Sequence, residues 1–204
     1  MKRLGLLLFM LPIVQILGGT ALAQNVGDNS VYFVTYYANA IHSAGVRDQV
    51  VRVINDGDTG ANLWASFYVF DDSQEMQECC SCQVSPDGLT SESIENNIIP
   101  HSLTGQLKSR GVIKVISSSV AAAGPTNFTN KPTPGLRVWA SHTQQYSPTD
   151  GAYYTTETPA ANANLVSSEE SVLETLCYYI NLLGSGGPGV CTCTPEDSDF
   201  SGWG

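Results

Sequence analysis

Six cysteines fall in two groups, Cys79, Cys80 and Cys82 in one and Cys177, Cys191 and Cys193 in the other. In an oxidising compartment such a distribution reads as a single knot that ties a loop of roughly 100 residues shut. Every other element must fold inside that constraint. The first group lies in Glu78-Cys79-Cys80-Ser81-Cys82 and runs into Ser85-Pro86-Asp87-Gly88, a run of turn residues.

Compartment decides what the cysteines mean. Met1-Lys2-Arg3 is a short basic start, Leu4 to Leu17 is an almost unbroken apolar run, and Ala21-Leu22-Ala23 is a small-x-small cleavage site ahead of Gln24. Residues 1–23 are therefore read as a secretory signal peptide and 24–204 as one domain. The apolar run is short for a bilayer span and breaks at Gly18 and Gly19, so no span is expected in the mature form. The formal charge is −10, and a leader carrying Lys2, Arg3 and no acid leaves the remainder more acidic still. Such a chain repels polyanions, which sets nucleic acid and anionic lipid aside as partners.

The middle of the chain reads as strands. Val31 to Ala38, Gln49 to Ile54, Leu63 to Phe70, the cysteine-bearing run to Val84, Leu89 to Ile94, Gly111 to Ser117, Leu136 to His142 and Ala152 to Thr156 are rich in β-branched and aromatic residues or are bounded by turn chemistry. Asn55-Asp56-Gly57-Asp58-Thr59-Gly60 is a turn, so its flanking strands are expected to form a hairpin. Ala121 to Gly135, punctuated by Pro and Gly, reads as a long exposed loop. Several short strands at about 31–157 with turns between them predict an antiparallel β-sandwich-like domain.

Towards the C-terminus the period changes. Ser167-x-x-Glu170 matches a capping box, and Val172, Leu173, Leu176, Cys177, Ile180 and Leu183 recur at helical spacing up to Gly184. One helix over about 168–183 is expected to pack on the sheet with this stripe, Cys177 included. The glycine-rich stretch after it reverses the chain into a cysteine-bearing tail, 184–204.

Alternation along a strand puts Cys80 and Cys82 on one face and Cys79 on the other, and Cys191 shares a face with Cys193. Neighbouring cysteines close a strained ring, so Cys79 and Cys80 do not pair with each other. The expected bridges are Cys79 to Cys177, with Cys80 and Cys82 joined to Cys191 and Cys193 in an order that the sequence leaves open. Each stabilises by about 2–4 kcal/mol.

The Glu-Cys-Cys-Ser-Cys and Pro-Asp-Gly-Leu blocks, together with Gly189-Val190-Cys191-Thr192-Cys193, resemble uncharacterised secreted bacterial proteins. The resemblance covers these blocks and Asn55 to Phe70. It implies export and the coupling of the two cysteine groups, and it implies no activity.

Candidate chemistry is sparse. Thiolates in a Cys-Cys-x-Cys plus Cys-x-Cys set suit a soft metal, but export favours disulfides. Cys191-Thr192-Cys193 lacks the Cys-x-x-Cys spacing and the adjacent cation of a redox pair. Asp56 and Asp58, like Asp197 and Asp199, stand at alternating positions as calcium ligands do, without the distal Glu that completes such a loop. His42, His101 and His142 lie on separate elements. Asp71, Asp72, Glu75 and Glu78 offer acid pairs for glycoside hydrolysis, although a run of acids in one loop is usually solvated. Tyr32, Tyr36, Tyr37, Trp64, Tyr68 and Trp139 could stack on sugars, but alternation buries half of them.

These observations predict a secreted or cell-surface domain, periplasmic or extracellular, that binds or assembles without catalysis and without a cofactor. Its partner is an extracellular ligand or protein that no motif specifies. The alternative is a secreted hydrolase whose carboxylates or histidines meet only in three dimensions. A pocket gathering histidine or paired acids favours the hydrolase, and a flat exposed aromatic row or an unpaired strand edge favours binding.

Overall fold

The computed structural model describes residues 28–38, 48–106, 108–124, 126–146, 149 and 153–193. The signal-peptide reading, His42, Asp197 and Asp199 lie outside these residues. Among the described residues, nine strands and one α-helix follow in chain order: β1 (Tyr32–Ala38), β2 (Val50–Asn55), β3 (Leu63–Asp71), β4 (Met76–Val84), β5 (Leu89–Ser93), β6 (Arg110–Ser118), β7 (Leu136–Tyr146), β8 (Tyr153–Pro159), β9 (Ala161–Asn162) and α1 (Ser167–Leu183). A π-helical turn, Ile94–Ile98, follows β5.

The strands form two antiparallel sheets, one in the order β4-β3-β6-β1-β9 and the other β5-β2-β7-β8. Their facing sides share one core, in which Phe33, Phe67, Val69 and Val115 of the first sheet meet Val51, Val53, Leu136 and Val138 of the second. The domain is a β-sandwich with a C-terminal helix, as the strand spacing predicts. The helix adds a third layer on the far side of the five-stranded sheet. There Tyr32, Tyr68, Met76, Cys79 and Ile116 pack against Leu173, Cys177 and Ile180. Covered on both faces, β3 and β4 carry nearly continuous burial. That is the behaviour of strands sandwiched between layers.

Asn55 to Gly60 does not make the expected hairpin. β2 and β3 lie in different sheets, so the turn carries the chain across the sandwich. The turn forms where its residues predict but the hairpin does not, because Asx-type local bonds such as Gly57 N–H to Asn55 Oδ1 at 3.1 Å stabilise a reversal without choosing its partner. β4 and β5 are likewise split between the sheets. The segment 121–135 is less exposed than its composition suggests. Ala122 and Ala123 are buried, and their amides donate to Ser81 Oγ at 3.0 and 2.8 Å.

The helix begins one residue from its expected start, at Ser167, with Val166 as N-cap and no side-chain cap. The capping box does not form because Glu170 N–H donates to the Val166 carbonyl instead. At the other end Gly184 has an ordinary right-handed backbone, with φ −78°. Its requirement is steric: a Cβ there would lie 1.8 Å from the Pro188 carbonyl oxygen.

Three disulfides lock this arrangement, Cys79–Cys177, Cys80–Cys191 and Cys82–Cys193, with Cα separations of 5.8, 5.3 and 5.4 Å. Cys79 faces the helix, and Cys80 and Cys82 face the sandwich interior. After α1 the chain returns alongside β4, where Cys79 N–H donates to the Gly189 carbonyl at 2.9 Å and Val190 makes a parallel bridge to Cys79. Thr192 N–H then donates to the Asn97 carbonyl at 2.8 Å, so the returning segment closes the gap between the two sheet edges.

Candidate functional site

The helix is bound to the sheet on one side and bare on the other. Its acids serve the bound side. Glu169 Oε1 receives Tyr32 Oη at 2.9 Å and Lys114 Nζ at 2.6 Å. The Lys114 contact is the main reason the Glu169 carboxyl sits below the usual carboxylate range. Glu174 Oε1 accepts from Asn130 N at 2.6 Å, and Asn130 Nδ2 also reaches Tyr68 Oη at 2.8 Å. Asn181 Nδ2 donates to the Cys177 carbonyl at 3.0 Å, directly over the Cys79–Cys177 bridge.

The outward side is apolar and uncharged. Val172 is 51% exposed, Tyr178 47%, Tyr179 52%, Leu182 59% and Leu183 71%. A solvated helix face normally carries charge, and large exposed apolar rows mark interaction surfaces. Tyr178 stands edge-on to Phe128 and to Tyr179, both with ring centroids 5.4 Å apart. Beside them a depression of about 340 Å³ is lined by Phe128, Tyr178, Asn181, Leu182, Ser185 and Gly186. This face corrects the stripe read from the sequence: Leu173, Cys177 and Ile180 are buried, but Val172 and Leu183 are on the open side. The helix carries two apolar stripes, and period alone merged them.

No protein-family model matches the chain, and no curated protein does. A solved structure described as the crystal structure of Thermotoga maritima 1070 is similar with a TM-score of 0.43 and 10% identity, over 66% of this chain and 95% of that one. Likeness at that level carries no argument about activity.

The remaining candidates are dispersed. His101 is exposed and lines a cleft of about 500 Å³ with Pro100, Ser102, Pro188, Val190 and Cys191, where the returning segment passes the loop after the π-helical turn. His142 lies across the sandwich, buried on β7 and stacked on Tyr36 of β1 with centroids 4.2 Å apart and planes at 14°. Burial holds its imidazole below the ordinary histidine range. His101 and His142 thus occupy different edges of the fold, since β4 is separated from β1 by β3 and β6.

The acids are also separated by role. Asp71 is buried and receives Ser73 N, Glu75 N and Gln77 Nε2 at 2.9–3.0 Å, with Lys108 Nζ at 3.3 Å, so it organises the β3–β4 turn. Asp72 pairs with Arg110 at 2.8 Å on the surface, and Glu75 is exposed. Glu78 is completely buried, with Oε1 accepting His101 N–H at 2.9 Å and Oε2 without a hydrogen-bond partner among the described residues. Burial pushes its carboxyl up to about 9, against which the His101 bond works only in part. It holds a proton at neutral pH and lies behind the cleft without lining it.

Asp56 forms an ion pair with Arg137 at 2.8 Å and accepts Asp58 N–H at 3.2 Å. The guanidinium occupies the side of the carboxylate that a calcium ion would need. The sulfurs of Cys80, Cys82 and Cys193 lie within 4.8 Å of one another, but all three are committed to disulfides and present no thiolate. Of the six aromatic residues weighed for sugar stacking, Tyr32, Tyr37 and Tyr68 are buried. Tyr36 is exposed on β1, and two neighbouring exposed tyrosines, Tyr178 and Tyr179, lie on the helix.

Proposed function

We propose that this chain is a secreted or cell-surface binding and assembly domain without catalytic activity, and that it engages its partner through the outer face of α1. The observation that carries this reading is the uncharged apolar row Val172, Tyr178, Tyr179, Leu182 and Leu183, held rigidly on a disulfide-locked sandwich. Rigid presentation lowers the entropy lost on association, because the helix is already ordered by Cys79–Cys177 and by the bonds of Glu169 and Glu174. Three cross-links and a sparse charge content support it, since both suit a protein that must persist outside the cell. The hydrolase alternative has less beneath it: the cleft contributes His101, and the nearest buried acid, Glu78, presents nothing to its opening.

The test is capture. Chain from residue 25 onward, with disulfides intact, is immobilised and exposed to cell-wall, polysaccharide and culture-supernatant fractions beside a Tyr179→Glu variant. The reading expects a ligand retained by the wild type and lost by the variant. Retention indifferent to Tyr179, or turnover of ester, peptide or glycoside substrates abolished by His101→Ala, would overturn it.

A further inference from the structure

The outer face of α1 has a spacing that its burial does not explain. Val172, Thr175, Tyr179 and Leu182 follow one another at intervals of three, four and three residues, the seam of a helix that packs against another helix. All four positions are exposed, and the seam spans about 15 Å of helix. From Ser171 to Leu183 the single charged residue is Glu174, and its carboxylate is turned to Asn130. A face without charge offers nothing for a basic or acidic partner to recognise electrostatically. Its complement is another uncharged helical seam.

The sequence of the seam is complementary to itself when reversed. In an antiparallel pair centred near Cys177, Val172 of one copy meets Leu182 of the other, and Thr175 meets Tyr179. Each layer sets a smaller side chain against a larger one, which is how facing positions interdigitate. A parallel pair would instead set Tyr179 on Tyr179 and Thr175 on Thr175, crowding one layer and leaving the next thin. The antiparallel pair also opposes the two helix dipoles. Elsewhere a strongly acidic chain repels its own kind, so the neutral face is where two copies can approach.

We infer that the occupant of this face is a second copy of the chain, in a two-fold dimer built by antiparallel α1 helices with the layers Val172–Leu182 and Thr175–Tyr179. The inference rests on the binding role proposed for this face and names its partner. One helix pair makes a small interface, so the dissociation constant is expected on the order of 10–100 µM.

Sedimentation velocity across that range, on disulfide-bonded chain from residue 25 onward, measures it. The wild type is expected to dimerise, and Val172→Lys and Leu182→Glu alone are each expected to weaken dimerisation by about tenfold or more. Both positions are exposed, so both variants should keep the wild-type circular dichroism and peptide map. An equimolar mixture of the two variants is expected to recover dimer, because the ammonium introduced in one chain then faces the carboxylate introduced in the other, while the second layer stays Leu–Val. A wild type monomeric at about 1 mM, a dimer indifferent to both substitutions, or a mixture that stays monomeric would each overturn the inference. Neutral phosphatidylcholine vesicles are added in a parallel run, and binding to them by a monomer counts against the dimer. Failure here is distinguishable from failure of the binding role: a monomer that still captures a foreign ligand through Tyr179 rejects the dimer and keeps the role.

Discussion

Replacing Glu78 by Gln should remove a pH dependence of stability that the fold imposes. Its carboxyl is fully buried with one hydrogen bond, and its pKa is raised to about 9 from an ordinary 4.5. Below pH 4.5 both folded and unfolded chains hold the proton, and the group adds no pH-dependent cost. Between 4.5 and 9 the unfolded chain releases the proton and the folded chain keeps it, so unfolding gains about 1.4 kcal/mol per pH unit. The stability lost from this group by pH 7 is on the order of 3 kcal/mol, and it continues to fall until about pH 9. Urea unfolding at pH 5, 6, 7 and 8 with disulfides intact measures it in the wild type and in Glu78→Gln. His142 works the other way, since a buried imidazole held below its ordinary range loses stability as pH falls. The comparison with the variant cancels it. The wild-type stability should fall relative to Glu78→Gln by roughly 1 kcal/mol or more for each unit over that range. Parallel curves would show that Glu78 is ionised or solvated in the folded protein, and the burial argument would fail.

Cys177→Ser together with Cys79→Ser should cost about 2–5 kcal/mol and expose the helix amides to hydrogen exchange, while peptide mapping still finds Cys80–Cys191 and Cys82–Cys193. An unchanged exchange pattern over 167–183 would mean that the bridge does not hold the helix. Gly184→Ala should destabilise by about 1–3 kcal/mol, because the new methyl meets the Pro188 carbonyl and the reversal into Cys191 must shift. A neutral effect in denaturant titration would contradict that close approach.

The sandwich was legible because its information is local and periodic. Burial alternates along β2 at Val51, Val53 and Asn55, and in the continuously buried cysteine run it is the facing that alternates, Cys79 to the helix and Cys80 and Cys82 to the interior, so the face of each cysteine is readable without its partner. Sheet membership was not legible. The bonds that shape the Asn55 to Gly60 reversal are satisfied within the turn, and nothing in them distinguishes a hairpin from a crossing between sheets. The interaction face was hidden for a related reason. Val172 and Leu183 lie at helical spacing from Leu173 and Ile180, so a single wide stripe absorbed residues that belong to a second one. Tyr178, Tyr179 and Leu182 fall outside that stripe, yet the sequence carries a signal for them: from Ser171 to Leu183 Glu174 alone is charged, too little for a helix with one solvated side. Glu78 reads from sequence as a loop acid, because its burial depends on the returning segment 187–193 and the loop at His101, which are remote in sequence.

Hydroxyl-radical footprinting tests the central claim most directly, by comparing the protein in its native surroundings with the purified chain diluted to about 1 µM, well below the expected dimer range. If the outer face of α1 is the interaction surface, Tyr178, Tyr179, Leu182 and Leu183 are protected in the native surroundings and oxidised on dilution, while exposed Leu89 on the opposite sheet is oxidised equally in both. Equal oxidation of the helix face under the two conditions would contradict the account.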